Sequence, residues 1–367
     1  MPSTFSRFRS DVFLIRHESI SVLELPLLKH SDLQTYFQLF LEALPMATKV
    51  RLHHQANGKM KKVLEWLWDV AVGPVFEELG FTAMPPEGSA WPRVWWIGSG
   101  LLNLLPLHAA GYDDTSDSTK NALDRVISSY ATTIKSLAYA RENAPETSAL
   151  QVQNAVLVSM PETPEQTSLP FAKAEVEILQ TLLPSQCPSI TVRVVPNPTR
   201  DNVLSAVKNA QILHLSCHGF GATDPSQSML LLNDWKTSPL IVSDLTSAKI
   251  QLPQFAYLSA CHTSSSRDLN LLDESIHLSS GVQLAGYPSV IGSLWQVNDK
   301  YSAELVRDVY TRILGGRYHF DIRQSAEALH HAVRALRMKT RTTAVPGLAR
   351  TVPSDPLSWA PYIHLGI

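Results

Sequence analysis

The stretch AVLVSMPETPEQTSLPFAKAEVEILQTLLPSQCPSITVRVVPNPTRDNVLSAVKNAQILHLSCHGF (155–220) decides the fold class. It holds three short apolar runs: AVLVSM (155–160), ITVRVV (190–195) and QILHLSC (211–217). Two segments of helical spacing separate them, FAKAEVEILQTLL (171–183) and RDNVLSAVKNA (200–210). Thr199 suits the N-cap of the second. Strands alternating with helices specify an α/β fold around a mostly parallel sheet. The strands are almost continuously apolar rather than alternating, so both faces of the sheet are covered.

The pattern continues downstream. FAYLSAC (255–261) and SVIGSLW (289–295) read as strands, and SIHLSSGVQLAG (275–286) as a helix. Helices follow over 300–314 and 321–338, the second with Ile322, Leu329, Val333 and Leu336 on one stripe. PYIHLGI (361–367) reads as a closing edge strand. Upstream, residues 1–50 read as a lead-in segment or linker with one helix, DLQTYFQLFLEAL (32–44). A longer helix covers KMKKVLEWLWDVAVGPVFEELG (59–80), where Pro74 predicts a kink or break and Gly80 a C-terminal cap. RVWWIG (93–98) and RVISSY (125–130) read as strands, with a helix over 132–141. Trp91, Trp95 and Trp96 read as core. RENAPETSA (141–149) marks a linker, so the chain divides into 1–50, an N-terminal half 51–150 and a C-terminal half 151–367.

Composition narrows the class of function. The chain has 367 residues, 44% of them hydrophobic, enough for a sizeable core. A formal net charge of −2 gives no electrostatic reason to expect nucleic acid or an anionic membrane as partner. There is no apolar run of membrane-spanning length and no secretory leader pattern at the start. The three cysteines, Cys187, Cys217 and Cys261, are too few and odd in number for a disulfide framework. A reducing compartment, cytoplasm or nucleus, is the expectation.

Two of those cysteines end strands, each followed by histidine: Cys217-His218 and Cys261-His262. In open parallel sheets, sites form beyond the carboxyl ends of strands. Adjacent residues of a strand face opposite ways, so each pair offers one side chain to a given site. Gly219 permits a tight turn directly after His218, which favours His218 as the presented residue. Cys261 reads as the last strand residue and His262 as the first of the loop. Adjacent Cys-His pairs lack the C-x₂₋₄-C and H-x₃₋₅-H spacing of zinc sites. A thiol nucleophile with an imidazole base is chemically apt, and His218 precedes Cys261 by 43 residues. Spacing alone leaves that reading open beside the plainer one, buried Cys and His packed at strand ends.

Longer motifs carry a resemblance. LHLSCHGF, DPSQSMLLLND, AYLSACHTS, LLDESIHLSSGVQLAGYPSVIGSLWQVND and WAPYIHLGI resemble the CHAT-domain family, caspase-like cysteine peptidases related to separase and caspases. LEWLWDVAVGPVFEELGF, PRVWWIGSGLLNLLPLHAAG, VISSYATTIKSLAYAR and LPFAKAEVEIL extend it upstream, with most likeness to fungal members. The resemblance implies a caspase-like α/β sheet in which 51–150 is a degenerate, pseudo-peptidase half and 151–367 the peptidase half. It implies a dyad of His218 as general base and acid and Cys261 as nucleophile, and no cofactor or metal. Backbone N–H groups at Gly219 and Cys261 would form the oxyanion hole. Asp273 and Glu274 would either shape a pocket for a basic P1 residue or cap the helix that follows. Trp295 would line the same rim or lie in the core. The implied activity is limited endoproteolysis of a protein or peptide in signalling or regulated cell death. The alternative is a silent module of the same fold that binds partners. Relatives are often joined to tetratricopeptide-repeat or sensor modules, so such a partner would be supplied elsewhere.

Overall fold

The computed structural model describes residues 3–5, 9–47, 49–113, 120–142, 153–220, 225–263, 278–295, 297, 299–315, 319–342 and 354–367. In chain order the elements begin with strands β1 (Ser3–Phe5), β2 (Ser10–Ile15) and β3 (Ile20–Glu24) and helices α1 (His30–Ala47), α2 (His53–Leu67) and α3 (Gly73–Leu79). Then come β4 (Arg93–Trp96), β5 (Ile127–Tyr130), α4 (Ile134–Glu142), β6 (Asn154–Ser159), α5 (Pro170–Gln186), β7 (Thr191–Val194), α6 (Arg200–Val207) and β8 (Ile212–Phe220). The rest are β9 (Met229–Leu231), β10 (Leu240–Ile241), α7 (Val242–Ser247), β11 (Phe255–Thr263), α8 (Leu278–Leu284), β12 (Ser289–Ser293), α9 (Asp299–Leu314), α10 (Ser325–Thr342), α11 (Pro356–Trp359) and β13 (Tyr362–Gly366). They group into two compact units: Met1–Thr133 with Val333–Pro361, and Ile134–Ala332 with Tyr362–Ile367.

In the second unit, β7, β6, β8, β11 and β12 lie side by side and parallel, and β13 closes this run antiparallel to β12. Counted from β6, the parallel order is 2-1-3-4-5. That order places a topological switch point between its first and third strands, here β6 and β8. β8 and β12 are buried along almost their whole length, as continuous apolar strands require. All five residues of β13 are buried, so it is not the exposed edge its position at the end of the sequence suggests.

β8 and β11 both run further than their apolar runs predict. β8 continues through His218 and Gly219 to Phe220, and no turn follows His218. The reason is a short hairpin. β9 pairs antiparallel with the end of β8, His218↔Leu231, Gly219↔Leu230 and Phe220↔Met229, and β10 pairs with β9 in turn. β11 likewise continues to Thr263, so Cys261 and His262 both lie within the strand.

In the first unit, β1, β2 and β3 form an antiparallel meander, an addition to the single helix read in residues 1–50. The predicted helix 59–80 is interrupted ahead of Pro74 but not divided, since Leu67, Trp68, Val72 and Gly73 all keep right-handed helical backbone. A π-helical turn, Trp68–Val72, joins α2 to α3, and Pro74 sits in the first turn of α3. Gly80 ends α3 at φ 78°, the left-handed cap that glycine adopts without strain. Of the three tryptophans read as core, Trp96 is buried and packs on Phe76, at 5.9 Å between rings. Trp91 and Trp95 are half-buried under Arg334 and Arg93, at 4.8 Å and 4.7 Å.

The return segment Val333–Pro361 is tied to this unit by buried charge. Arg337 Nη2 donates to both oxygens of Asp124 at 2.6 Å, and Arg334 donates to Oδ1 at 3.1 Å. Taking Asp124→Ala strips the partner from a buried guanidinium, so the unit should lose about 3–5 kcal/mol of stability, read by urea denaturation. His108 gives the same unit a pH dependence. Its Nδ1 accepts from the Tyr130 hydroxyl at 2.8 Å. Burial pushes the imidazole down to about 4 from 6.5, opposed by the Ala360 carbonyl. The buried ring is therefore neutral, and its stabilising effect is intact above pH 6.5 and lost as pH falls through 4. Each pH unit of displacement corresponds to about 1.4 kcal/mol, so the acid loss should approach roughly 3 kcal/mol. A His108→Gln variant should flatten thermal midpoints between pH 6.5 and 4 relative to the parent. An unchanged acid limb would refute this.

Candidate active site

The parallel ladder between β8 and β11 is nine pairs long, from Phe255↔Ile212 to Thr263↔Phe220. Within it Cys261 is the register partner of His218, and His262 that of Gly219. Cys217 pairs with Ala260 and is buried, on the opposite face of β8 from His218. The two Cys-His pairs are thus not equivalent. Strand alternation separates them, and the turn expected at Gly219 plays no part.

The other edge of β8 is shared. β6 pairs with its first half, Ile212 to Ser216, and β9 with its last three residues. At this handover the chain leaves β6, the Met160 amide donating to the Ser216 carbonyl at 2.8 Å. The loop 161–169 then passes beside the end of β8 and brings the Thr167 carbonyl to His218. The distance from Nε2 to that oxygen is 2.7 Å, and His218 is 8% exposed. A carbonyl only accepts, so Nε2 carries the proton. In the neutral ring the lone pair is then on Nδ1, which makes Nδ1 the basic nitrogen.

The loop that holds this carbonyl is itself tied down. The Leu169 amide donates to the Pro161 carbonyl at 2.8 Å and the Gln166 amide to Thr163 at 3.0 Å. The Trp235 indole N–H donates to the Pro164 carbonyl at 3.0 Å, and Lys236 pairs with Glu165. Glu165 has φ 59°, a left-handed conformation that costs a non-glycine residue about 1 kcal/mol or more. The strap behind Trp235 is anchored in turn. Asp234 accepts from the Arg200 amide at the start of α6, at 3.0 Å and 3.2 Å.

Gly219 lies inside β8, between β9 and β11. Trp295 is buried just beyond β12. Asp273 and Glu274 lie outside the described residues, as do the side chains of Cys261 and His262. Thr167 escapes sequence reading because it acts through its backbone, which any residue supplies. Glu175 also escapes it, although a signal exists: a carboxylate on the inward stripe of α5, among Ala172, Val176, Leu179 and Leu183. Glu175 accepts from Ser259 Oγ at 2.9 Å and pairs with His214 at 3.2 Å.

The fold is shared with separase. Residues 1–367 superpose on the chain in the Saccharomyces cerevisiae separase–securin complex at 3.0 Å resolution with a TM-score of 0.65 and 11% identity. For the 2.6 Å structure of the same complex the TM-score is 0.63, again at 11% identity. The match covers 100% of this chain but only 29% and 30% of the two separase chains. No curated protein sequence matches the chain. The CHAT domain family model matches residues 61–367, and with that span the protein belongs to the CHAT domain family.

Proposed function

We propose that this chain is a cysteine endopeptidase of the CHAT family that carries out limited proteolysis with a His218–Cys261 dyad. The observation that supports it is the ladder register, which sets Cys261 opposite His218 while the Thr167 carbonyl holds Nε2 of the imidazole. Neighbouring strands run about 4.8 Å apart, so residues in register are close enough to share a proton. In this reading Nδ1 of His218 takes the Cys261 thiol proton. The thiolate attacks the scissile carbonyl carbon, and the oxyanion that forms is met by the backbone N–H at Cys261, joined by that of Gly219 only where the end of β8 parts from β9. Collapse breaks the C–N bond, and the amine leaves with the proton from His218. Water, deprotonated by the same ring, then cleaves the thioester and regenerates the thiol.

The Thr167 contact supports this assignment in a second way. A neutral imidazole whose Nε2–H is held by a carbonyl cannot present the wrong tautomer to the thiol. Its imidazolium form is stabilised by the same oxygen. The partner implied is a polypeptide. Separase is seen with the protein securin, and a macromolecular substrate or inhibitor fits a chain with no strong net charge. A tetratricopeptide-repeat or sensor partner and a role in signalling or cell death are part of the proposal, as is a P1 pocket built by Asp273 and Glu274.

Positional-scanning fluorogenic peptides, with an electrophilic peptide ketone as label, test the assignment. Cys261→Ala should abolish cleavage and labelling. His218→Ala should cost about 10²–10⁴-fold in turnover. Cys217→Ala, on the other face of β8, should keep parent activity. Parent-level cleavage by the Cys261 variant would overturn the dyad. Absence of labelling in the parent under every activating condition would leave a non-catalytic binding module.

A further inference from the structure

A buried polar column runs along the same face of the sheet as His218. His214, Ser216 and His218 alternate on one side of β8, and their register partners in β11 are Tyr257, Ser259 and Cys261. α5 covers this column and inserts one carboxylate into it. Glu175 is 1% exposed, on an otherwise apolar stripe. Its Oε1 accepts from Ser259 Oγ of β11 at 2.9 Å, and its Oε2 lies 3.2 Å from Nε2 of His214 in β8. One side chain therefore bridges the two strands that carry His218 and Cys261. It does so one same-face step, about 7 Å, below Cys261 on β11 and two steps, about 13 Å, below His218 on β8.

The hydrogen bonds of the column are mutually consistent. Burial, and then the Glu175 carboxylate, pushes the Tyr310 hydroxyl well above its ordinary value, so it remains a protonated donor. Tyr310, on α9, donates to Nδ1 of His214 at 3.3 Å. Nε2–H of the same ring then donates to Glu175, and Tyr257 stacks on the ring at 5.1 Å. Such a group is a poor source of net stability, since apolar replacement of buried polar pairs is often neutral or stabilising. Its value is in specificity. Strands buried on both faces are apolar throughout, and their pattern alone sets register weakly. A slip of β11 by one residue would bring Leu258 or Ala260 to the place of Ser259 and leave Oε1 of the carboxylate without its donor.

We propose that Glu175 is a positioning residue for the dyad, a clamp that ties β8 to β11 and holds His218 opposite Cys261. The same helix start sets the ring as well, since Thr167 lies three residues before α5 and Glu175 sits in its second turn. The proposal rests on the peptidase reading above.

The test is the pH dependence of Cys261 carbamidomethylation by iodoacetamide in the full chain, quantified by peptide mass spectrometry. Far-UV dichroism and thermal midpoints identify the folded variants. The parent and His218→Ala come first. If the imidazole activates the thiol, the parent reacts well below the ordinary thiol range and His218→Ala does not. Identical profiles would overturn the dyad, and this proposal with it. Given an active dyad, folded Glu175→Ala should lose about tenfold or more of its rate at neutral pH, moving toward His218→Ala. Glu175→Gln should stay within about threefold of the parent, because its amide still accepts from Ser259 and donates to the other tautomer of His214. A folded Glu175→Ala with the parent profile would refute the clamp. Where Glu175→Ala does not fold, Ser259→Ala carries the test: a lowered rate supports the clamp and a parent profile refutes it.

Discussion

The pairing of β8 with β11 is the constraint on which the rest of the second unit depends. Nine consecutive register pairs fix where every residue of the two strands lies relative to its neighbour. A parallel ladder cannot be made locally, because its strands need a crossover between them. Here that crossover contains β9, β10 and α7, and the same segment extends β8 past Cys217. The hairpin thus has two effects. It supplies partners for the end of β8, and it keeps His218 in a strand rather than a loop. An imidazole in a strand between two others is held more tightly than one on a turn.

The candidate site lies between β8 and β11, beside the switch point, and draws on elements of different kinds. β8 brings the His218 imidazole, β11 sets Cys261 in register with it, and the loop after β6 brings a carbonyl. α5 follows that loop and returns Glu175 to both strands. Division of labour of this sort is expected where a sheet reverses its winding, since loops diverge there and leave a crevice. Beneath it Ser259, Glu175, His214 and Tyr310 are hydrogen-bonded in a chain rather than singly, as a low-dielectric interior favours. In the first unit the same principle takes a different form. There Asp124 gathers Arg334 and Arg337 from the returning C-terminal segment, and Asp113 pairs with Arg341 and Ser354.

Much of this was legible before any coordinate. The strand-helix alternation over 155–217, the Thr199 cap, an interruption of the α-helical pattern near Pro74 and the Gly80 terminus rest on local rules of backbone geometry, and these held. The elements that were not legible share a different character. β9 and β10 are two or three residues long, too short for periodicity to register. The meander β1–β3 lacks a clean alternation: in β2 the outward face carries Phe13 and Ile15 beside Asp11, while buried Ser10 shares the inward face with Val12 and Leu14. The π-helical turn at Trp68–Val72 has no sequence period of its own. The extension of β8 depended on β9, a partner strand further along the chain, so its own residues could not announce it.

The sequence by itself determined the α/β class, the family, and the inequivalence of Cys217 and His218. Each follows from spacing along one chain segment or from motifs that survive intact. Only the tertiary structure decided which residues stand opposite one another. The Thr167 carbonyl beside His218, Glu175 bridging two strands, and Asp124 between two arginines all join positions far apart in the chain. Such contacts have no local signature. A backbone carbonyl is common to every residue, and a carboxylate on a helix stripe looks the same whether it meets solvent, a serine or a guanidinium. What distinguishes them is the loss of water around the group and the partner that replaces it, and that is settled only when the chain closes on itself.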